Sequence, residues 1–158
     1  MIQTNSDFKD LISCLNRFQV KYLLIGGYAV IYYSEPRYTK DMDIWIEPSK
    51  DNSAKIYQAL LDFGAPLIQL NIKEEDFSKK GFFVQFGLEP SRIDILMSPG
   101  ELDFEEAWKR KNIFKVDNID INVASVQDLI ELKNTAGRPQ DLIDIQSLQK
   151  ATAVKNGD

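Results

Sequence analysis

Tyr22-Leu23-Leu24-Ile25-Gly26-Gly27 and, a little further on, Asp41-Met42-Asp43-Ile44-Trp45-Ile46 are the stretches on which the fold turns. The first is a short apolar, strand-like run that halts at two glycines. Tyr28 to Tyr33 then supplies a helical turn or two before Pro36. The second alternates as a half-buried strand does and ends at Glu47-Pro48. Side chains two apart on a strand leave from one face, about 6.6 Å apart at a rise of ~3.3 Å per residue, so oxygens of Asp41 and Asp43 can meet on one cation. Glycines at a helix start let the backbone approach a ligand, and the free N–H groups there favour an anion such as a triphosphate. Alone, Asp-x-Asp also reads as two solvated carboxylates at a strand edge, and Gly-Gly as a tight turn. Strand, glycine pair, helix and acidic strand in succession make the stronger pattern.

Outward from this centre, apolar residues at three- and four-residue steps predict a helix from Ser6 to Phe18, with Ser6 as its N-cap. A second helix is expected from Ser53 to Phe63, closed by Gly64. Residues 65–81, rich in Lys, Glu and Asp, read as a loop or irregular excursion near the active face. Phe82–Phe86 and Arg92–Met97 predict a hairpin across Gly87–Ser91. A short helix over Phe104–Lys111 and a hairpin of Ile113–Val116 with Ile119–Val123 across Asp117-Asn118 follow. Closing helices are expected from Ser125 to Ala136, with Ser125 and Asp128 as a capping-box variant, and from Pro139 to Lys150. The expectation is one α+β domain over residues 1–150 with a short mixed β-sheet backed by helices, and a frayed tail over 151–158.

The 158 residues carry 19 Lys and Arg against 24 Asp and Glu, a formal charge of −5, which disfavours a broad phosphate-neutralising face. A chain of this length buries enough surface to need no structural metal, so any metal serves chemistry. The sequence contains no histidine, which excludes Ser-His-Asp and Cys-His machinery and leaves carboxylates, Lys, Tyr and metals. The single Cys14 reads as core, and with no signal peptide or long apolar span the chain is expected to be cytoplasmic, with no membrane partner. Trp45, Trp108, Tyr28, Tyr32, Tyr33 and Tyr38 read as core or rim rather than as a base-stacking platform. Lys79-Lys80 and Lys109-Arg110-Lys111 read as solvated.

Asp94 lies between two isoleucines in an expected strand, so it is either exposed at an edge or paired. Beside Asp41 and Asp43 it would face repulsion of roughly 4 kcal/mol per pair at 4 Å, which divalent cations relieve. Oxygen-only ligands suit Mg²⁺ or Mn²⁺, and two such ions can clamp the attacking and leaving oxygens of a phosphoryl displacement.

Ile25-Gly26-Gly27, Arg37-Tyr38-Thr39-Lys40-Asp41-Met42-Asp43-Ile44 and Arg92-Ile93-Asp94-Ile95 together resemble the signature of the polymerase-beta-like nucleotidyltransferase superfamily. Leu132-Lys133 and Gly137-Arg138-Pro139-Gln140-Asp141-Leu142 are similar to the closing segment of its small bacterial members, including those related to abortive-infection toxins. The resemblance spans residues 20–148 and implies the nucleotidyltransferase fold. It also implies a two-metal, NTP-dependent, ATP-binding type of transferase that moves a nucleoside monophosphate to an acceptor hydroxyl and releases pyrophosphate. By the same matching Asp41, Asp43 and Asp94 are catalytic residues and ligands of Mg²⁺ or Mn²⁺, with Asp94 also able to take the acceptor's proton. Gly26, Gly27, Arg37, Thr39, Lys133, Arg138 and Asp141 are the implied nucleotide-binding residues. Two departures stand out: Gln140, where small relatives often carry Lys, and Gly27, where the superfamily often carries Ser. The implied acceptor is a small molecule such as an antibiotic, a tRNA, or a protein in a toxin–antitoxin setting, with a homodimer or partner chain completing the site. The alternative is a catalytically silent binding or antitoxin module of the same fold.

Overall fold

A single mixed sheet with strand order β3-β4-β2-β1-β6-β5 runs through the chain in a computed structural model that describes residues 6–88 and 90–157. The elements are α1 (Ser6–Arg17), β1 (Tyr22–Ile25), α2 (Gly26–Tyr33), β2 (Asp41–Ile46), α3 (Lys50–Phe63), β3 (Phe83–Phe86), β4 (Arg92–Leu96), α4 (Phe104–Arg110), β5 (Asn112–Val116), β6 (Ile119–Val123), α5 (Val126–Ala136) and α6 (Pro139–Gly157). β1 is buried along its whole length, flanked by β2 and β6 in the sheet and covered by α2. It pairs antiparallel with β2 and parallel with β6, while β2 pairs parallel with β4, whose other edge carries antiparallel β3.

Register puts the chemistry on one face. Residues opposite one another across a ladder share a face, and the row Ile25, Asp43, Asp94, Gln85 crosses four strands. The next row toward the strand starts is Asp41 opposite Arg92, and the next the other way is Leu23, Trp45, Leu96, Phe83. Both predicted hairpins form, and Asp117 and Asn118 take positive φ of 51° and 66°, the backbone of a two-residue type I′ turn.

Several boundaries differ from expectation. Ser6 is already helical rather than capping, and Glu89 of the β3–β4 connection lies outside the described residues. α3 starts at Lys50, because the Ser49 side chain accepts from the Asn52 N–H and caps the helix. Residues 65–81 contain a 3-10 turn at Glu74–Ser78, pinned by buried Phe77 and by the Ser53 hydroxyl donating to the Glu74 carbonyl. That turn packs on α3, and Ser78 and Lys80 border a cavity with Trp45, Met97 and Gly100 rather than with Asp41, Asp43 or Asp94. The Ser125 hydroxyl accepts from the Asp128 N–H, but the Asp128 carboxylate does not complete a capping box: Arg110 of α4 binds it through Nε and Nη2 at 2.9–3.2 Å. α6 continues as helix to Gly157.

The aromatic residues are mostly core. Trp45 is buried with its Nε1 donating to the Met97 carbonyl, Tyr28 meets Phe8 edge-on, and Tyr32 and Tyr33 pack on Phe114. Trp108 stacks on Phe104 beneath the Lys111 ammonium. Cys14 is buried, and burial raises its thiol pKa, which disfavours the nucleophilic thiolate form. No helix among the described residues is long and apolar enough to cross a membrane.

Candidate active site

Asp41, Asp43 and Asp94 converge: each offers a carboxylate oxygen within 4.8 Å of the others. Asp43 and Asp94 are register partners on parallel strands, and Asp41 sits one pleat earlier on the same face. Burial first, then repulsion from Asp41 and Asp94 and a hydrogen bond to Asp94, push the Asp43 carboxyl up to about 8, with Lys133 pulling the other way. Burial and repulsion together thus disfavour three charged carboxylates at this place in the absence of a further cation. An all-oxygen donor set of this kind fits a hard divalent cation such as Mg²⁺ or Mn²⁺.

One local cation sits in the cluster. Arg92, at the start of β4, donates from Nη2 to Asp41 Oδ2 and Asp94 Oδ2 (3.3 Å to the latter), and from Nε to Asp94 Oδ1 at 3.2 Å. Gln85 of β3 donates to Asp94 Oδ2 at 3.4 Å.

The diglycine lies against this cluster. Gly26 opens α2 with φ of +76°, and a Cβ there would collide with the Asp43 carboxylate, 3.0 Å from its Cγ and closer still to Oδ2. A Cβ at Gly27 would stand 2.6 Å from Arg37 Nη2 and 2.8 Å from Thr39 Oγ1. The space a serine side chain would fill at position 27 is thus taken by the Arg37 guanidinium and Thr39 hydroxyl. The N-cap residue of α2, Ile25, has no side chain to cap its N–H groups, and no acidic residue stands in the first turn.

Behind the glycines, α5 and α6 contribute a buried ionic network. Lys133 Nζ lies 3.2 Å from Asp141 and 2.8 Å from Asp144, each about 1% exposed. Arg37 Nη2 reaches Asp144 at 2.9 Å, and Gln140 donates to it at 3.0 Å. Arg37 Nε is buried without a hydrogen-bond partner. Asp141 accepts from the backbone N–H of Arg138 at 3.1 Å and from its Nε at 2.7 Å, which closes the start of α6. Burial opposes ionisation of Asp141, but the bonds from Arg138 and Lys133 outweigh it and hold its carboxyl below the usual range.

Two adjoining cavities share Asp43, Lys133, Arg138 and Asp141. One, about 430 Å³, is polar and bordered by Gly27, Arg37, Thr39 and Asp41, with exposed Tyr38 at its edge. The other, about 300 Å³, is bordered by Gly26, Leu96, Pro99, Leu129 and Leu132.

The site residues expected from the sequence thus lie at one place: the three aspartates on the sheet, the glycines at α2, Arg37 and Thr39 before β2, and Lys133, Arg138 and Asp141 at α5–α6. Sequence reasoning missed Arg92, Asp144 and Gln85. Arg92 stands two residues before Asp94 on a strand, and Asp144 three after Asp141 on a helix, spacings that place each pair on one face. Gln85 is visible only through the β3–β4 register.

A scan against protein-family models finds no match, and a search of curated proteins finds none either. Among solved structures the chain is similar to the lincosamide antibiotic adenylyltransferase LnuA in its lincomycin-bound crystal structure, with a TM-score of 0.62 and 16% identity over 94% of this chain and 98% of that one. The fold is that of a nucleotidyltransferase: a mixed α+β arrangement of six strands backed by helices.

Proposed function

We propose that the protein is a metal-dependent nucleotidyltransferase that moves a nucleoside monophosphate from an NTP to an acceptor hydroxyl. The observation that carries this reading is the convergence of Asp41, Asp43 and Asp94 beside the uncapped, diglycine start of α2. Mg²⁺ or Mn²⁺ held by the three aspartates would draw the triphosphate in and offset the charge that develops on its oxygens. The N–H groups at Gly26 and Gly27 hold phosphate oxygens, with Arg37 and Thr39 supplying the side-chain donors that Gly27 lacks. Lys133, fixed by Asp141 and Asp144, presents a cation to both cavities, and the apolar cavity beside Leu129 and Leu132 takes the nucleoside.

In the transfer the acceptor oxygen bonds to the α-phosphorus, the bond from that phosphorus to the bridging oxygen breaks, and pyrophosphate leaves. Asp94 takes the hydroxyl proton. Asp43 gives up its own proton as the site is charged with cation and nucleotide. The first acceptors to assay are hydroxylated small molecules, since the structural neighbour is an antibiotic adenylyltransferase. tRNA and protein hydroxyls, the acceptors of a toxin–antitoxin setting, come next.

Thermal shift with each NTP, with and without Mg²⁺, tests the binding step, and mass spectrometry of candidate acceptors with labelled NTP tests transfer. Metal-dependent stabilisation, together with transfer that Asp41→Asn abolishes, is the expected result. Stabilisation by NTP that neither Mg²⁺ nor Asp41→Asn alters would overturn the reading in favour of a silent binding module.

A further inference from the structure

Arg92 has no part in the transfer described above, yet its guanidinium lies between two of the three carboxylates assigned to the metal. It bridges Asp41 and Asp94 through three hydrogen bonds, using both oxygens of Asp94 and Oδ2 of Asp41. The planar fork of arginine suits such a bridge, and a lysine, a single point charge, does not reproduce it. The side chain is 29% exposed and stands at the first residue of β4, so it has solvent to swing into. The third carboxylate, Asp43, shares a hydrogen bond with Asp94 instead. A divalent cation seated among the three aspartates would meet the guanidinium at its own coordination positions.

We propose that Arg92 is an internal counter-ion of the acidic triad, one that a divalent cation must displace, so that it holds down metal affinity until a triphosphate arrives. Displacement leaves the guanidinium beside the site in need of an anion, and a phosphate oxygen supplies one. Metal entry and nucleotide entry are thereby coupled through a single side chain. This rests on the metal-dependent reading of the site, and it adds a regulation of cation occupancy which that reading does not contain.

The experiment is titration of the full chain with Mn²⁺ alone, followed by electron paramagnetic resonance, for the wild type, Arg92→Gln, Arg92→Lys and Asp41→Asn. Arg92→Gln is expected to bind Mn²⁺ about tenfold more tightly than the wild type, with Arg92→Lys between them. A non-hydrolysable triphosphate is expected to tighten Mn²⁺ in the wild type more than in Arg92→Gln, closing the gap. Equal or weaker Mn²⁺ binding by Arg92→Gln, with Asp41→Asn still abolishing it, overturns the counter-ion and leaves the metal site standing. No Mn²⁺ binding by wild type or Arg92→Gln overturns both. Should circular dichroism show Arg92→Gln unfolded, Arg92→Lys decides: tighter binding than wild type supports the proposal, and unchanged or weaker binding overturns it.

Discussion

Asp43→Asn, measured in metal-free buffer, should stabilise the protein at alkaline pH and leave it nearly unchanged in acid. Two charges 4.8 Å apart, the outer limit within the triad, repel by about 3.5 kcal/mol at an effective dielectric of 20. Asp43 is desolvated by burial and then faces two such neighbours, offset in part by Lys133, so its carboxyl stands at about 8 against an ordinary 3.8. Each pH unit corresponds to 1.36 kcal/mol, so the ceiling is about 6 kcal/mol; partial solvent access and movement of nearby cations bring the expected effect to about 2–3 kcal/mol. The sign follows from proton binding. Between pH 4 and 8 the folded chain holds a proton at Asp43 that the unfolded chain has lost, so stability falls as pH rises through this window and levels off above it. Asparagine keeps the shape and has no proton to lose. Urea denaturation in EDTA at pH 5, 7 and 9 should show the variant's advantage growing from near zero to about 2–3 kcal/mol, roughly 6 °C in Tm for a chain of this size. Adding Mg²⁺ at pH 9 should raise the wild type and not the variant. A difference that stays flat with pH, or a variant less stable at pH 9, would refute the reading of Asp43 as a buried carboxyl crowded by its neighbours.

The features legible in the sequence are those set by local period and turn chemistry. β1, β2, the β5–β6 turn at Asp117-Asn118 and the start of α6 at Pro139 all stand where alternation, positive-φ residues and capping positions put them. The absence of histidine from the composition is enough to remove histidine chemistry. The pairing of β2 with β4 is not local: nothing in Arg92–Leu96 announces that it lies parallel to a strand some fifty residues earlier, and only the resemblance joins Asp94 to Asp41 and Asp43. The start of α3 is hidden because Lys50, Asp51 and Asn52 read as a polar loop, whereas Asn52 is buried and bonds the backbone of Lys21 and Glu47. Charged residues over 73–80 likewise mask the 3-10 turn, whose anchor is the single buried Phe77. The burial of Lys133, and Asp144 altogether, are obscured by residue type: ionisable residues on amphipathic helices are usually solvated, and these two are buried because they neutralise each other together with Arg37 and Asp141.

The diglycine and the α5–α6 network yield the remaining predictions. Gly27→Ser adds a hydroxyl at the start of α2, yet its Cβ meets Arg37 and Thr39 at 2.6 and 2.8 Å, so it should cost about 1–3 kcal/mol and lower NTP-dependent thermal stabilisation rather than raise it. Pairing it with Arg37→Ala should recover stability if the guanidinium is the obstacle, and no recovery would move the blame to Thr39. Lys133→Met tests whether this lysine is structural as well as functional. Its removal leaves Asp141 and Asp144 buried at about 1% exposure with Arg138, Arg37 and Gln140 as their remaining partners. Breaking a buried pair from one side typically costs about 3–5 kcal/mol, and the surviving partners should hold this to about 2–3 kcal/mol, or roughly 6 °C in Tm. Lys79→Met, which breaks an exposed pair with Asp76, should shift Tm by no more than about a degree or two. If instead Lys133→Met melts with the wild type while losing nucleotide binding, the lysine is held for the ligand alone. The two carboxylates would then be satisfied by Arg37 and Arg138 without it.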